Sequence, residues 1–164
     1  MNSLTAGNPS AEVGKARRVA FMSTNGFESA TLAGSNTARH GTFMGMTILH
    51  ADDSSAVRHW VAEQLNDSDI KVVSVADGEA ALQVLRQSHC DLLLTDLEMP
   101  NLDGLQLAAA VRELPMYRFL PVLILSTRRP NDVEPERRQG VTGWIVKPTD
   151  PEHLRRWVRR SLPL

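Results

Sequence analysis

The chain has 164 residues, 42% of them hydrophobic, and a formal net charge of −1, so it has enough apolar material for one globular domain with a tail. The near-neutral charge disfavours binding to nucleic acid, and no apolar run is long enough for membrane insertion or a secretory signal. Cys90 is the only cysteine, which excludes a disulfide within the chain and indicates a reducing, cytoplasmic location.

Residues 1–45 are rich in Ser, Thr, Asn, Gly and Ala and show no sustained apolar period. This composition predicts a flexible or disordered N-terminal extension, and residues 46–164 are predicted to form the folded domain. Met44 and Met46 lie directly before the first predicted strand. We therefore hypothesise that translation begins at one of them, which mass spectrometry of the native protein would test.

Short apolar strands alternate with amphipathic helices from residue 47 onward, which is typical of repeated βα units. Five units fit, with strands predicted at Thr47–Ala51, Lys71–Val75, Asp91–Thr95, Pro121–Leu125 and Thr142–Val146. Right-handed crossovers, each about one helix long, then predict an α/β three-layer sandwich around a five-stranded parallel sheet. The fourth helix should be short or distorted, because Pro130 and Pro135 both oppose helical continuation.

Four of the predicted strands end at residues that can bind phosphate or a divalent cation. These are Asp52 with Asp53, Asp96, Ser126 and Lys147. Because parallel strands end at one edge of a sheet, we expect these side chains to meet in one pocket. Each pair of carboxylates would repel by about 4 kcal/mol at an effective dielectric near 20, so the acids need a neutralising cation. Carboxylate oxygens without nearby Cys or His favour magnesium or manganese.

Asp96 is the best candidate for a carboxylate nucleophile toward a phosphoryl group. It stands alone after a central strand, whereas Asp52 and Asp53 pair as a metal clamp. Each of these residues also has a simpler reading, because an Asp-Asp-Ser run is often a helix cap and Lys147 alone would be ordinary surface. Only their joint occurrence at four strand ends favours phosphoryl chemistry.

Several motifs resemble the receiver domain of two-component response regulators in order and spacing. They are Asp-Asp-Ser at 52–54, Thr-Asp-Leu-Glu-Met-Pro-Asn-Leu-Asp-Gly at 95–104, Ser-Thr at 126–127 and Gly-Trp-Ile-Val-Lys-Pro at 143–148. The resemblance covers residues 46–164, and the stretches 117–121 and 143–148 are most similar to stand-alone chemotaxis regulators of the CheY type. It implies a flavodoxin-like fold with strand order 2-1-3-4-5, the order found in CheY.

The same resemblance implies a metal site and a phosphoryl donor. Asp52, Asp53, Asp96 and the backbone carbonyl of Glu98 would hold magnesium, directly or through water. Asp96 would accept phosphate from a sensor histidine kinase or a phosphotransfer protein. The chain would then be a phosphoacceptor that assists its own phosphorylation and dephosphorylation, and not an enzyme with a separate substrate.

The resemblance also implies a switch. Ser126 and Lys147 would bind the phosphoryl oxygens, and Trp144 lies where the family has its switch aromatic. A downstream protein target would bind the face formed by the fourth helix, the last strand and the last helix. Because no output domain follows residue 162, we expect the signal to leave by protein contact.

Some residues depart from the family pattern or suggest further roles. His50 occupies a strand position where the family usually has an aliphatic residue. Glu98 and Arg128 flank the phosphate position, and we hypothesise that they pair across the pocket mouth and impede attacking water. The four arginines of the last helix are interpreted as a solvated face, with contact to an acidic partner as the alternative; they are Arg155, Arg156, Arg159 and Arg160.

Three other classes of protein use similar residues or the same fold. A phosphatase of the haloacid dehalogenase type uses similar groups, but its acidic pair comes last in the chain, whereas Asp52 and Asp53 precede Asp96. A non-phosphorylated pseudo-receiver that serves as a binding module stays open. A flavodoxin-type FMN binder is disfavoured, because no phosphate-binding loop of glycine and hydroxyl residues follows Ala51.

Overall fold

The computed structural model describes residues 45–162, so the predicted N-terminal extension lies outside the described residues except for Gly45. The strands are β1 Met46–Ala51, β2 Ile70–Val75, β3 Leu92–Thr95, β4 Val122–Ser126 and β5 Gly143–Val146. The α-helices are α1 Ser55–Leu65, α2 Gly78–Gln87, α3 Gly104–Arg112 and α4 Pro151–Ser161. All five predicted strands are confirmed, each with ends within one residue of the expectation.

All strand pairs are parallel, and the strand order is β2-β1-β3-β4-β5. The predicted flavodoxin-like order is therefore confirmed. Strands β3 and β4 are buried along their whole length, which fits their apolar sequences without polar alternation. This order places β1, β3 and β4 side by side in the middle of the sheet.

The core has two layers, one on each face of the sheet. Leu49, Leu93 and Leu107 belong to the layer that α2 and α3 cover. Ile48, Leu92 and Leu154 belong to the layer that α1 and α4 cover. Full burial of each such side chain stabilises the fold by about 1.5–3 kcal/mol. The predicted three-layer sandwich is confirmed.

A side chain caps the N-terminus of each α-helix and fixes where it begins. Ser54 caps α1, Asp77 caps α2, Asp103 caps α3 and Asp150 caps α4 by accepting a backbone N–H of the first turn. Because Ser54 is the cap of α1, Asp52 and Asp53 are left in the loop between β1 and the helix. Within residues 45–162, no helix combines the length and apolar character needed to span a bilayer.

The connection between β4 and β5 corrects the expectation of five complete βα units. In this part of the described chain the structure has two 3-10 turns, Pro130–Asp132 and Pro135–Arg138, and no α-helix. Each turn begins with proline, which lacks a backbone N–H and restricts the residue before it. The helix predicted between β4 and β5 is therefore absent and not merely short. The predicted partner face keeps β5 and the last helix, α4, but has 3-10 turns in place of the helix before β5.

Candidate functional site

The carboxyl edge of the sheet holds the predicted site residues in fixed register. Strand-like backbone hydrogen bonds continue past the strand ends, from Asp96 N–H to the Ala51 carbonyl (2.7 Å) and from Lys147 N–H to the Ser126 carbonyl (2.7 Å). The ladder therefore sets the height of each loop residue above the sheet. Side chains from three separate loops are brought together at this edge, as the parallel topology predicts.

Lys147 joins the two central carboxylates. Its Nζ donates to Asp52 Oδ2 and to Asp96 Oδ1, both at 2.9 Å. Burial alone would lower the pKa of Lys147, but its hydrogen bonds and ion pairs with Asp96 and Asp52 outweigh burial and raise it. The ammonium is therefore charged at neutral pH and neutralises two acids at once.

The two carboxylates differ in access to solvent. The Asp52 side chain is 1% exposed and also accepts a hydrogen bond from the Ser54 amide, whereas the Asp96 side chain is 12% exposed. Burial raises the pKa of Asp96, and the hydrogen bond from Lys147 opposes this rise. Asp96 is thus the acid that a reagent from solution can reach.

The predicted cluster of three carboxylates is only partly assembled. Asp52 and Asp96 meet at Lys147, while Asp53 is exposed and lines a neighbouring cavity of about 390 Å³ with Glu98. Within residues 45–162, no group of three His, Cys, Asp or Glu side chains is arranged to hold a metal ion. The Lys147 ammonium supplies part of the positive charge that Asp52 and Asp96 need, and it does so by contacting both acids.

Two ion pairs connect the loop after β3 to the segment between β4 and β5, which has 3-10 turns where a helix was predicted. Arg128 lies 3.7 Å from Glu98, which is the contact expected from the sequence. Arg137 forms a second pair with Asp103 at 2.9 Å, a contact that the sequence did not reveal. Together with Asp53, these four side chains line the cavity beside Asp96.

Ser126 and Trp144 contact the same backbone unit. Ser126 Oγ accepts a hydrogen bond from the Arg128 amide (3.1 Å), and Trp144 Nε1 donates to the Arg128 carbonyl (2.8 Å). Ser126 is almost fully buried, and its hydroxyl makes no hydrogen bond to the side chain of Asp96 or Lys147 in the described structure. A displacement of the Ser126 hydroxyl would therefore disturb the backbone that holds the indole.

The loop that carries Asp96 is held tightly against the start of α3. The Glu98 amide donates to Asp96 Oδ2 (3.1 Å), and the Gly104 amide donates to the Leu97 carbonyl (2.9 Å). A Cβ atom at position 104 would collide with the Asp96 carbonyl oxygen. Gly104 is therefore required by close backbone approach, which explains the glycine at the end of the 95–104 motif.

The His50 imidazole lies below the site without any hydrogen bond. Its side chain is fully buried, both ring nitrogens lack a partner, and Nε2 is 4.0 Å from Asp52 Oδ2. Desolvation lowers the pKa of His50 to about 4, although Asp52 pulls in the opposite direction. The imidazole is therefore neutral at physiological pH.

Arg58 is a site residue that sequence reasoning missed. Its guanidinium donates to the backbone carbonyls of Asp52 (2.7 Å) and Asp53 (3.0 Å), which holds the acidic loop against α1. The spacing of five and six residues carries no recognisable motif. Arg58 reaches these carbonyls because the first turn of α1 places its side chain over the loop that precedes the helix.

Comparisons with known proteins agree with this architecture. The family model of the response regulator receiver domain matches residues 48–159. The chemotaxis protein CheY of Pseudomonas aeruginosa is 34% identical over 117 residues, which cover 70% of this chain and 94% of that protein. The two-component response regulator ORR11 of Oryza sativa is 31% identical over 118 residues, which cover 71% of this chain and 80% of that protein.

A solved structure shows the same agreement. The chemotaxis protein CheY4 of Vibrio cholerae superimposes with a TM-score of 0.65 and is 35% identical. The alignment covers 72% of this chain and 99% of that protein.

Proposed function

Because this chain belongs to the response regulator receiver family, we propose that it is a phosphorylation-dependent switch whose phosphoacceptor is Asp96. The observation that carries the proposal is the Lys147 ammonium, which lies 2.9 Å from both Asp52 and Asp96 at the carboxyl edge of the sheet. Three loops thus contribute the nucleophile, its acidic neighbour and a fixed positive charge. Phosphoryl transfer depends mainly on such positioning and charge stabilisation.

The choice of Asp96 over Asp52 is supported by access. Both oxygens of each acid accept hydrogen bonds, but the Asp52 side chain is 1% exposed and the Asp96 side chain is 12% exposed. Asp96 is the more exposed acid, and burial raises its pKa above the ordinary aspartate value, which makes it more basic than a free aspartate. Asp96 is therefore better suited to attack phosphorus, with the bond from phosphorus to the donor group breaking as the new bond forms.

Lys147 and Ser126 would stabilise the transferred group. An ammonium has three N–H donors, and Lys147 uses two of them on Asp52 and Asp96, so one remains for a phosphoryl oxygen. Ser126 would supply a hydroxyl donor after it turns away from the Arg128 amide. These two contacts exist only when Asp96 carries phosphate, which is the requirement for a switch.

Magnesium is proposed as the cofactor, with manganese as an alternative. The donors are oxygen atoms of Asp52, Asp53 and Asp96 and the backbone carbonyl of Glu98, which is the ligand type that magnesium prefers. The bound ion would supply positive charge to the phosphoryl oxygens. Lys147 already neutralises part of the cluster, so this chain holds Asp96 in position before the metal binds.

The hydrogen bonds to the phosphoryl group would supply enough free energy to shift the population from one state of the switch to the other. Moving an equilibrium from 1:99 to 99:1 requires about 5.5 kcal/mol of differential binding. Two charge-assisted hydrogen bonds, from Ser126 and Lys147, contribute roughly 1.5–3 kcal/mol each. Trp144 would respond because its indole is bonded to the same Arg128 backbone that Ser126 would release.

The partners follow from this role. A sensor histidine kinase or a phosphotransfer protein would be the phosphoryl donor, in the cytoplasm. A downstream protein would recognise the surface of β5, α4 and the segment 127–142, and the similarity to CheY proteins suggests a chemotaxis-type pathway. The chain would not turn over a separate substrate.

Incubation with acetyl phosphate and magnesium tests the proposal. We expect wild type to gain one phosphoryl group by intact mass and to change its tryptophan emission, and we expect neither change in Asp96→Asn. Trp144→Phe should keep the mass gain and lose most of the emission change. A wild-type protein that is folded and takes up no phosphoryl group would instead be a pseudo-receiver.

A further inference from the structure

Arg58 is bonded to the loop that carries two of the proposed metal ligands. Its Nη1 donates to the backbone carbonyl of Asp52 at 2.7 Å and to that of Asp53 at 3.0 Å. Within residues 45–162 the guanidinium has no carboxylate partner, so its polar contacts are with the loop backbone alone. An arginine is thus used here to hold two peptide groups and not to neutralise an acid.

The position of Arg58 in α1 does not explain the presence of an arginine. It is the fourth residue of the helix, close to the N-terminal end, where the helix dipole disfavours a cation. No acid offsets this charge along the helix, because the residues three and four positions away on either side are Ser54, Ser55, Val61 and Ala62. The bonds to the loop are therefore the contacts that favour arginine at this position.

The two acids of the loop are held to different degrees. Both carboxylate oxygens of Asp52 accept hydrogen bonds at 2.9 Å, one from the Ser54 amide and one from Lys147. Asp53 is exposed, and the bond from Arg58 to its carbonyl is its only hydrogen bond with residues 45–162. Loss of the guanidinium would therefore release Asp53 far more than Asp52.

We propose that Arg58 is a positioning residue for the magnesium site, which acts by holding the backbone of Asp53 before the ion binds. The inference rests on the proposed function, because it takes Asp53 as a metal ligand. The Asp53 side chain lines the cavity beside Asp96. A ligand whose backbone is already held loses less conformational freedom on binding an ion, so the bond from Arg58 favours binding.

The charge of Arg58 and its hydrogen bonds predict opposite effects on magnesium affinity. A guanidinium beside the acidic loop repels a second cation, so removal of its charge alone would strengthen magnesium binding. Loss of the two hydrogen bonds would weaken binding, because the backbone of Asp53 would no longer be held. The direction of the change therefore separates a positioning role from a role that is only electrostatic.

Magnesium titrations followed by NMR of the backbone amides test the proposal, with the dissociation constant as the readout. Arg58→Met keeps the aliphatic stem and removes the donor, whereas Arg58→Lys keeps a charged donor on a shorter side chain. The matched control is Arg155→Met, because Arg155 also donates to a backbone carbonyl of α1, that of Gln64 at 3.1 Å. Gln64 lies at the C-terminal end of α1, away from the acidic loop.

We expect Arg58→Met to bind magnesium about tenfold more weakly than wild type, the lower end of the effect of removing a group that orients metal ligands. Arg58→Lys should bind more weakly than wild type and more tightly than Arg58→Met. Because lysine keeps the charge, a loss in this variant cannot be electrostatic. Arg155→Met should bind magnesium like wild type.

Magnesium binding by Arg58→Met that equals or exceeds that of wild type would overturn the proposal. An equal loss in Arg155→Met would also overturn it, because any weakening of the contacts of α1 would then have the same effect. If Arg58→Met does not fold, Arg58→Lys decides, and wild-type affinity in that variant overturns the proposal. Failure of the proposed function is a different result, in which wild type itself neither binds magnesium nor gains a phosphoryl group from acetyl phosphate, and it would overturn both.

Discussion

Lys147→Met is the substitution that most directly probes the electrostatics of the site. Methionine keeps most of the aliphatic stem, which lines a cavity with Val57, Trp60 and Pro148, and removes only the ammonium. Asp52 and Asp96 would then face each other without the charge that joins them at 2.9 Å. We expect the variant to be less stable than wild type in magnesium-free buffer at neutral pH.

The expected loss is about 3 kcal/mol. Removing one member of a buried ion pair costs about 3–5 kcal/mol, because an uncompensated buried charge remains. The Asp52 side chain is 1% exposed and Lys147 is 21% exposed, so solvent screens part of the interaction and favours the lower end of that range. Magnesium should restore part of the loss, since an ion bound only by the folded state stabilises that state.

The effect also has a defined pH window. The raised pKa of Lys147 means that its ion pairs stabilise the fold below its ordinary value of 10.5 and lose this effect as pH rises through the higher folded-state value. In the variant, acid should relieve the repulsion by protonating Asp96, whose pKa burial already raises. The difference between wild type and variant should thus be largest near neutral pH and shrink at both extremes.

Urea unfolding followed by tryptophan fluorescence, in buffer with a chelator, measures this difference. Lys71→Met is the matched control, because Lys71 is exposed on β2 and its loss should change the free energy of unfolding by less than about 0.5 kcal/mol. If Lys147→Met were as stable as Lys71→Met at pH 7, the ammonium would not neutralise the acids as argued.

Three further predictions concern the surroundings of the site. Glu98→Ala and Arg128→Ala should each shorten the half-life of the aspartyl phosphate severalfold, because the contact between Glu98 and Arg128 at 3.7 Å would no longer impede attacking water. Release of inorganic phosphate measures this half-life. Unchanged half-lives would exclude that role. His50→Leu should raise the free energy of unfolding by about 1–2 kcal/mol at pH 7, because both buried ring nitrogens lack partners. The difference in the free energy of unfolding between His50→Leu and wild type should increase as pH falls from 6.5 toward 4. Because burial lowers the pKa of His50, the unfolded wild-type chain binds the proton at a higher pH than the folded protein does. A difference that does not change with pH would contradict this explanation. Gly104→Ala should lower the melting temperature and slow phosphorylation by acetyl phosphate, because its Cβ would collide with the Asp96 carbonyl; wild-type values for both would contradict the close approach.

The fold was largely predictable because its signals are local. Apolar runs bounded by polar residues mark all five strands, and the crossovers between them predict a parallel sheet, whereas the strand order was implied by the resemblance to receiver domains. The strand ends then identify Asp52, Asp96 and Lys147, because the topology alone brings them to one edge. Pro130 and Pro135 also indicated that the helix between β4 and β5 would be short or distorted. In the described chain this segment forms two 3-10 turns and no α-helix.

The contacts between loops could not be predicted in the same way. The pair of Arg137 with Asp103 spans 34 residues, and neither position belongs to a charge pattern. The Lys147 ammonium lies between two acids because of the conformations of three loops above the sheet. The hydrophobic periodicity of the sequence predicts strands and helices but not loop conformations. The sequence therefore indicated a metal ion and Lys147 as sources of positive charge, but not that the ammonium contacts both Asp52 and Asp96.

The central claim is that Asp96 accepts the phosphoryl group. Borohydride reduction of protein treated with acetyl phosphate and magnesium, followed by peptide mass mapping, tests it most directly, because the reagent converts an acyl phosphate into a stable alcohol. We predict homoserine at position 96 and intact aspartate at positions 52 and 53. Reduction at Asp52 or Asp53, or at none of the three in a folded protein, would contradict the account.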